Sequence, residues 1–186
     1  MHNLRRNQSL DDALIGGREK RQIVIADYDP RWPVRFEAER IRIEHALGWR
    51  ATRVEHIGST AVPDLPAKPI IDVLVTVNDP NDDLHLVPAL TAAGYELRVR
   101  EPGHRMFRTP QLDVHTHIWA DTDPEVQRYI GFRDRLRRSA DDRHAYAHLK
   151  RELARHDWTD MNEYANAKGA LIEDILARAE DRSKPG

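Results

Sequence analysis

The chain reads as an α+β fold: a mixed or antiparallel sheet with flanking helices, followed by a C-terminal helical half. Three observations predict this. Strand-like segments recur at 53–57, 70–77, 95–99, 105–108 and 112–119, the second a run of branched apolar residues, and the short connections between the last three favour antiparallel pairing. From Thr122 onward the apolar spacing turns helical. No Gly/Ser/Pro-rich linker separates the halves, and 186 residues suit one domain with a sizeable core. That domain is expected over 22–182, as an α/β core (about 22–120) and a helical part (about 121–182), behind a partly ordered arm over 1–21.

Element by element, Ile23-Val24-Ile25 reads as a short strand. Pro30-Arg31-Trp32-Pro33 opens a helix, because proline suits a first turn, and Phe36, Ile43 and Leu47 give it a core stripe up to Gly48. A strand over 53–57 leads into a Gly/Pro-punctuated loop, and the strand over 70–77 follows. A helix over 84–93 is closed by Gly94. Beyond the three later strands, Thr122 and Glu125 fit a capping box around Pro124. Helices are predicted over about 123–138, 140–156 and 160–181.

Composition narrows the function classes. A formal net charge of -2, a pI near 6.6 and the lack of an aromatic-rich basic stripe argue against nucleic acid and anionic membrane as partners. With no cysteine, thiolate nucleophiles and thiolate metal sites are excluded, and a reducing compartment is the natural one. The first residues lack the apolar core of a signal peptide and no run is long enough to span a membrane, so a cytoplasmic location is expected.

The informative stretch is Val54 to Val77, VEHIGSTAVPDLPAKPIIDVLVTV. A bare carboxylate, Asp72, sits inside its apolar strand, where burial without a partner costs several kcal/mol. Side chains alternate along a strand, so Ile71, Val73, Val75 and Val77 share one face and Ile70, Asp72, Leu74 and Thr76 the other. In LDVHTHIW the same rule groups Asp113, His115, His117 and Trp119. If these strands are neighbours, Asp72 meets two imidazoles, which is metal-ligand chemistry. Histidines on a half-exposed strand also occur as plain polar surface, and Lys68 or an arginine could neutralise Asp72 instead. Upstream, the Gly58-Ser59 turn exposes backbone N–H groups and a hydroxyl to an approaching phosphate. His56 precedes it, placed to orient Ser59 or act as a base, or to serve structure alone.

In the helical half, Tyr146…Lys150 and Tyr164…Lys168 repeat a Tyr-x-x-x-Lys pattern, each pair on one helix face. Lys168 lies on the line that Leu171 and Ile175 continue. It either snorkels past the core or points into a cleft, where Lys150, Lys168 and Arg133 would neutralise a triphosphate. Lys68, in the loop above the turn, is the first candidate for a phosphate contact.

EHIGSTAVPDLPAKPIIDVLV closely resembles the signature of the GrpB-like (glutamate-rich protein B) family. The likeness extends through YDPRWPVRFEAER, AAGYELR, the HTH strand, GFRDRLR, YAHLKREL and NEYANAKGALIEDIL, over roughly residues 22 to 180. The resemblance implies a nucleotidyltransferase-like fold. In that superfamily a Gly-Ser at a strand end holds nucleotide phosphates, and carboxylates on the next strands bind two divalent metals. It assigns Gly58 and Ser59 to phosphate and Asp72 to metal. A third carboxylate is expected on a later strand, where the chain offers the HTH segment with Asp113 on the same face. Two departures stand out. Ile70 occupies the first position of the expected acidic-x-acidic pair. Asp64 stands where the family normally has glycine.

The leading expectation is therefore a metal-dependent enzyme that binds a nucleoside triphosphate and transfers a nucleotidyl group to an unidentified acceptor. Asp72, His115 and His117 would hold Mg²⁺ or Mn²⁺, with Zn²⁺ or Fe²⁺ also suited to imidazole. Two alternatives use the same residues. One is a non-catalytic nucleotide- or coenzyme A-binding accessory module, since the family also occurs fused to dephospho-coenzyme A kinase. The other is a two-His-one-carboxylate transition-metal site.

Overall fold

The computed structural model describes residues 13–20 and 22–181. Helix α1 (Trp32–Leu47) starts at the predicted Trp-Pro step and ends at Gly48, whose φ of 56° suits glycine at a helix end. Strand β1 (Arg53–Ile57) follows, then a short 3₁₀ turn at Ser59–Ala61 and strand β2 (Ile71–Val77). Helix α2 (Asp83–Ala92) leads to β3 (Glu96–Glu101), β4 (His104–Arg108) and β5 (Val114–Ala120). Helices α3 (Pro124–Arg138), α4 (Ala140–Leu153), α5 (Met161–Asn166) and α6 (Gly169–Asp181) complete the chain.

The five strands form one mixed sheet in the order β1-β2-β5-β4-β3. β2 and β5 are parallel and every other neighbouring pair is antiparallel. The alternation expected in β2 holds. Ile71, Val73, Val75 and Val77 are buried with Ile43 and Leu47 of α1 and Leu86 and Leu90 of α2. On the opposite face α3 covers one end, where Val126 packs on Ile57 and Leu74. A third cluster joins Val62 and Leu65, from the loop after the turn, to Leu136, Tyr146, Ala147 and Ile175 of the helical half. That packing brings α4 against the Gly58-Ser59 turn.

Four local expectations are corrected. Ile23-Val24-Ile25 joins no ladder; the pairing there is one bridge between Ala26 and Ala67. Asp123, not Thr122, caps α3, its carboxylate accepting from the Glu125 N–H at 2.9 Å. The helix predicted over 140–156 ends at Leu153, and the one over 160–181 is interrupted after Asn166. The expected arm over 1–21 lies partly outside the described residues. Its described part is packed, with Ala13 buried and Leu14 bridging Val99 of β3.

Candidate functional site

Opposed residues in adjacent strands share a face, so the strand registers define the site. Across the open face runs the row Ile57, Asp72, His115, Arg108 and Glu96, contributed by β1, β2, β5, β4 and β3 in turn. Asp72 Oδ1 lies 3.5 Å from His115 Nδ1, and their side chains keep 30% and 23% exposure, enough for a ligand to reach them. Burial pushes the Asp72 carboxyl up. The His115 hydrogen bond, with the charges of His115, His117 and Lys68, outweighs it and holds the group below its ordinary value. Gly58 adjoins this carboxylate at φ 69°, and a Cβ there would stand 2.3 Å from Asp72 Oδ2. Only glycine admits both the backbone angle and the close approach.

The turn presents Ser59 to a group of lysines. Lys150 is buried on α4 and donates from Nζ to Ser59 Oγ at 2.9 Å and to the Pro66 carbonyl. Its ammonium stands 4.9 Å from the Tyr146 ring centroid, while Lys68 and Lys168 stand 5.2 Å and 4.5 Å from that of Tyr164. Burial, then the positive charges of Lys168, Arg151 and Lys68, depress Lys150 to about 7. Burial and Lys68 depress Lys168 to about 8. Three lysine side chains are thus held near one another, against their own repulsion, beside a hydroxyl and a Gly-Ser turn.

Gly58, Ser59, Lys68, Asp72, His115, Lys150 and Lys168 thus converge, and four other candidates do not. His117 pairs in register with Leu74, one rung beyond Asp72. Its Nδ1 faces His104 Nε2 at 3.4 Å, and burial, with His104 second, lowers its pKa to about 3. His56 is opposed to Val73, so it faces away from Asp72 and stacks on Phe36 at 4.6 Å. Its Nε2 lies 3.0 Å from the Thr60 hydroxyl, which donates to the Ile70 carbonyl, so Nε2 carries the proton. Burial lowers this imidazole to about 4, and its visible task is bracing the turn through Thr60 rather than serving the open face. Arg133 is spent on Glu55, Asp134 and the His56 carbonyl, at 2.7, 2.8 and 3.0 Å. It lines a separate cleft of about 670 Å³ behind the turn, with Tyr28, Phe36 and Arg137. Asp113 precedes β5 and is held by Arg35 and Thr109 at 2.8 and 2.7 Å.

Among the described residues, no three His, Cys, Asp or Glu side chains are gathered in a metal-ligating group, so the Asp72-His115-His117 triad is not assembled. The Asp72-His115 pair on its open face fits a divalent ion held jointly with phosphate oxygens and water, the mode in which such ions are shared with nucleotides. Arg108 was missed in the sequence. HRMFR shows His104, Met106 and Arg108 on one face by alternation, but only the register beside β5 places Arg108 next to His115.

The profile described as "GrpB protein" matches residues 22–178. The chain belongs to the GrpB family. Its relatives include a UPF0157 protein of Streptomyces coelicolor, 50% identical over 89% of this chain and 89% of that protein. The solved structure of the conserved protein GrpB from Enterococcus faecalis superimposes with a TM-score of 0.76 at 33% identity, over 86% of this chain and 99% of that one. The GrpB fold is therefore shared as a whole. A dephospho-CoA kinase of Mycolicibacterium paratuberculosis is 32% identical over 82% of this chain but only 45% of its own length. The Cid1 poly(U) polymerase bound to MgATP superimposes loosely, with a TM-score of 0.44 and 12% identity over 67% of this chain and 45% of that one. That likeness is too slight to carry residue roles. No described helix is long and apolar enough to cross a membrane.

Proposed function

We propose that this GrpB chain binds a nucleoside triphosphate at the Gly58-Ser59 turn and acts as a nucleotidyltransferase-like protein on an unidentified acceptor. The observation that carries the reading is that Lys150 bonds Ser59 while Lys68 and Lys168 stand close enough to act on its charge, with Lys150 and Lys168 depressed by burial and like charge. A bound polyphosphate relieves that repulsion. The Ser59 hydroxyl positions it, and the lysines take up charge on the non-bridging oxygens. Asp72 and His115 would hold a divalent ion, which when bound supplies further neutralisation of phosphate charge. His115 is also placed to accept a proton at the imidazole nitrogen not directed at Asp72.

A binding-only role, as an accessory module for a nucleotide or coenzyme A, is favoured by one specific observation. Ile70 replaces the first expected carboxylate and Asp113 is tied to Arg35 and Thr109, so Asp72 faces the ligand as the sole acid of the expected set. Kinship to a dephospho-CoA kinase is consistent with that role. One experiment separates the two. Nucleotides crossed with Mg²⁺ and Mn²⁺ are screened by thermal shift on the unmodified chain, Asp72→Asn and His115→Ala, since any ligand of the folded state raises Tm. Release of labelled pyrophosphate, the leaving group of nucleotidyl transfer, is then followed with the nucleotides that bind. Binding with turnover lost in Asp72→Asn supports transfer. Binding without turnover supports the accessory role, and no Tm rise with any nucleotide refutes both.

A further inference from the structure

A second anion-handling group lies on the same open face, and a part of the chain outside the family match fills it. Arg108 stands beside His115 in the cross-strand row, two strands from Asp72 and roughly 10 Å away at ordinary strand spacing. Its Nη1 and Nη2 grip both carboxylate oxygens of Glu19, at 3.0 and 2.9 Å. Arg98 of β3 approaches the same carboxylate at 3.8 Å and also donates to the Ile15 and Gly17 carbonyls. Both arginines are well buried, with side chains 8% and 16% exposed, whereas Glu19 keeps 30%. A two-point grip of a planar carboxylate by guanidinium is the geometry with which proteins recognise free carboxylates and phosphates.

Two observations separate this arrangement from a simple tether. The Nε of Arg108 is buried without a hydrogen-bond partner, so Glu19 leaves part of the guanidinium fork unused. The family match begins at residue 22, so both arginines lie inside it and Glu19 lies outside. Elsewhere the described arm is anchored by buried Ala13, one bridge from Leu14 to Val99, the Ile15 N–H to the Arg98 carbonyl at 2.9 Å, an Arg18–Asp160 pair at 3.8 Å and an exposed Lys20–Asp157 pair. Exposed ion pairs contribute little, so a better anion can displace such a segment.

We propose that Arg98 and Arg108 form an anion-binding subsite beside the Asp72-His115 pair, filled in the free protein by Glu19, and that a carboxylate- or phosphate-bearing small molecule binds there by displacing the arm. Glu19 acts as an internal competitor, and the apparent affinity of the external anion is reduced by the fraction of molecules in which the arm is seated. The subsite does not depend on what occupies the lysine cluster.

The test uses inorganic pyrophosphate and succinate, titrated calorimetrically into the full chain at low ionic strength. Glu19→Gln is expected to bind one of them at least about tenfold more tightly than the unmodified chain, and the probe that gains identifies the class of anion. The gain disappears when Arg108→Met is added and survives Lys150→Met, which disables the separate lysine cluster. Equal affinities in Glu19→Gln and the unmodified chain for both probes, or a gain that survives Arg108→Met, overturns the proposal. If Glu19→Gln does not fold, hydrogen exchange on the unmodified chain decides. Saturating probe is expected to remove protection of the Ile15 amide, and unchanged protection overturns the proposal.

Discussion

Binding of a polyphosphate beside Ser59 is expected to draw a proton out of solution, and the amount follows from Lys150. In the free protein this ammonium titrates at about 7 rather than at its ordinary 10.5. At pH 8 only about one-tenth of the molecules therefore carry the charge. A phosphate in contact with Nζ favours the charged form and returns the group toward its ordinary value, so binding at pH 8 takes up about 0.9 proton. Lys168, at about 8 in the free protein, adds up to about half a proton by the same argument. At pH 6 both groups are already charged and the lysines' share of the uptake falls to about 0.1. The sign follows directly: the complex holds more protons than its free components, so affinity weakens as pH rises above 7, by up to about tenfold per unit for one fully coupled lysine. Calorimetric titration with ATP at pH 8, in buffers of low and high ionisation enthalpy, reads the uptake from the slope of the observed enthalpy. Lys150→Met removes most of it and leaves the Lys168 share. Measurable binding at pH 8 with a buffer-independent enthalpy, or with proton release, would refute the reasoning.

Three substitutions probe the remaining geometry. Gly58→Ala places a Cβ 2.3 Å from Asp72 Oδ2 at a positive φ, so a loss of about 2–4 kcal/mol in urea denaturation is expected; a loss under about 0.5 kcal/mol would show that the carboxylate moves aside freely. Asp72 lies below its ordinary value in the fold, so its charge contributes stability that is present above the unfolded carboxyl pKa and lost as pH falls through the folded one. Asp72→Asn is accordingly expected to cost about 1 kcal/mol at pH 7 and to flatten that acid limb, and an unchanged limb in a pH series of melts would contradict it. Arg133→Met strands the Glu55 carboxylate and the His56 carbonyl, at a cost of about 2 kcal/mol. Its ATP affinity is expected to stay within about threefold, and a larger loss would return Arg133 to the ligand.

The sheet strands could be read because each is a short segment bounded by turn residues, and β1 was placed to the residue. Faces were legible from alternation, as in the burial of Ile71, Val73 and Val75 and the openness of Asp72. Register was not. The parallel pairing of β2 with β5 sets Asp72 opposite His115 and sends His117 to His104, and alternation alone gives both histidines the same claim. Helical spacing flagged Lys150 and Lys168 through their tyrosines. What those rings do, standing beside the ammonium groups, depends on α4 and the loop carrying Val62 and Leu65 packing together. Arg133 was misplaced because a helix face says nothing about which side of a neighbouring turn it meets. Asp113 failed because it precedes β5 by one residue, where Arg35 and Thr109 claim it.

Charge distribution around the turn bears on whether the proposed nucleotide chemistry would run through one metal or two. A two-metal centre is built from carboxylates, because several anions are needed to hold two dications 3.5–4 Å apart at about neutral net charge. Here the ratio is inverted. One acid, Asp72, stands among Lys68, Lys150 and Lys168, so the free site attracts anions and resists a naked dication. Under the proposed function, a metal ion would therefore enter together with an anion, as a metal–polyphosphate complex, and its affinity would be set mainly by that complex. The depressed lysines then serve two ends: they let the empty site exist at low charge cost near neutral pH, and they recover full charge when the phosphate enters. Under the proposed function, that coupling of protonation to occupancy would let the lysines serve binding alone, while transfer would depend on Asp72 beside His115.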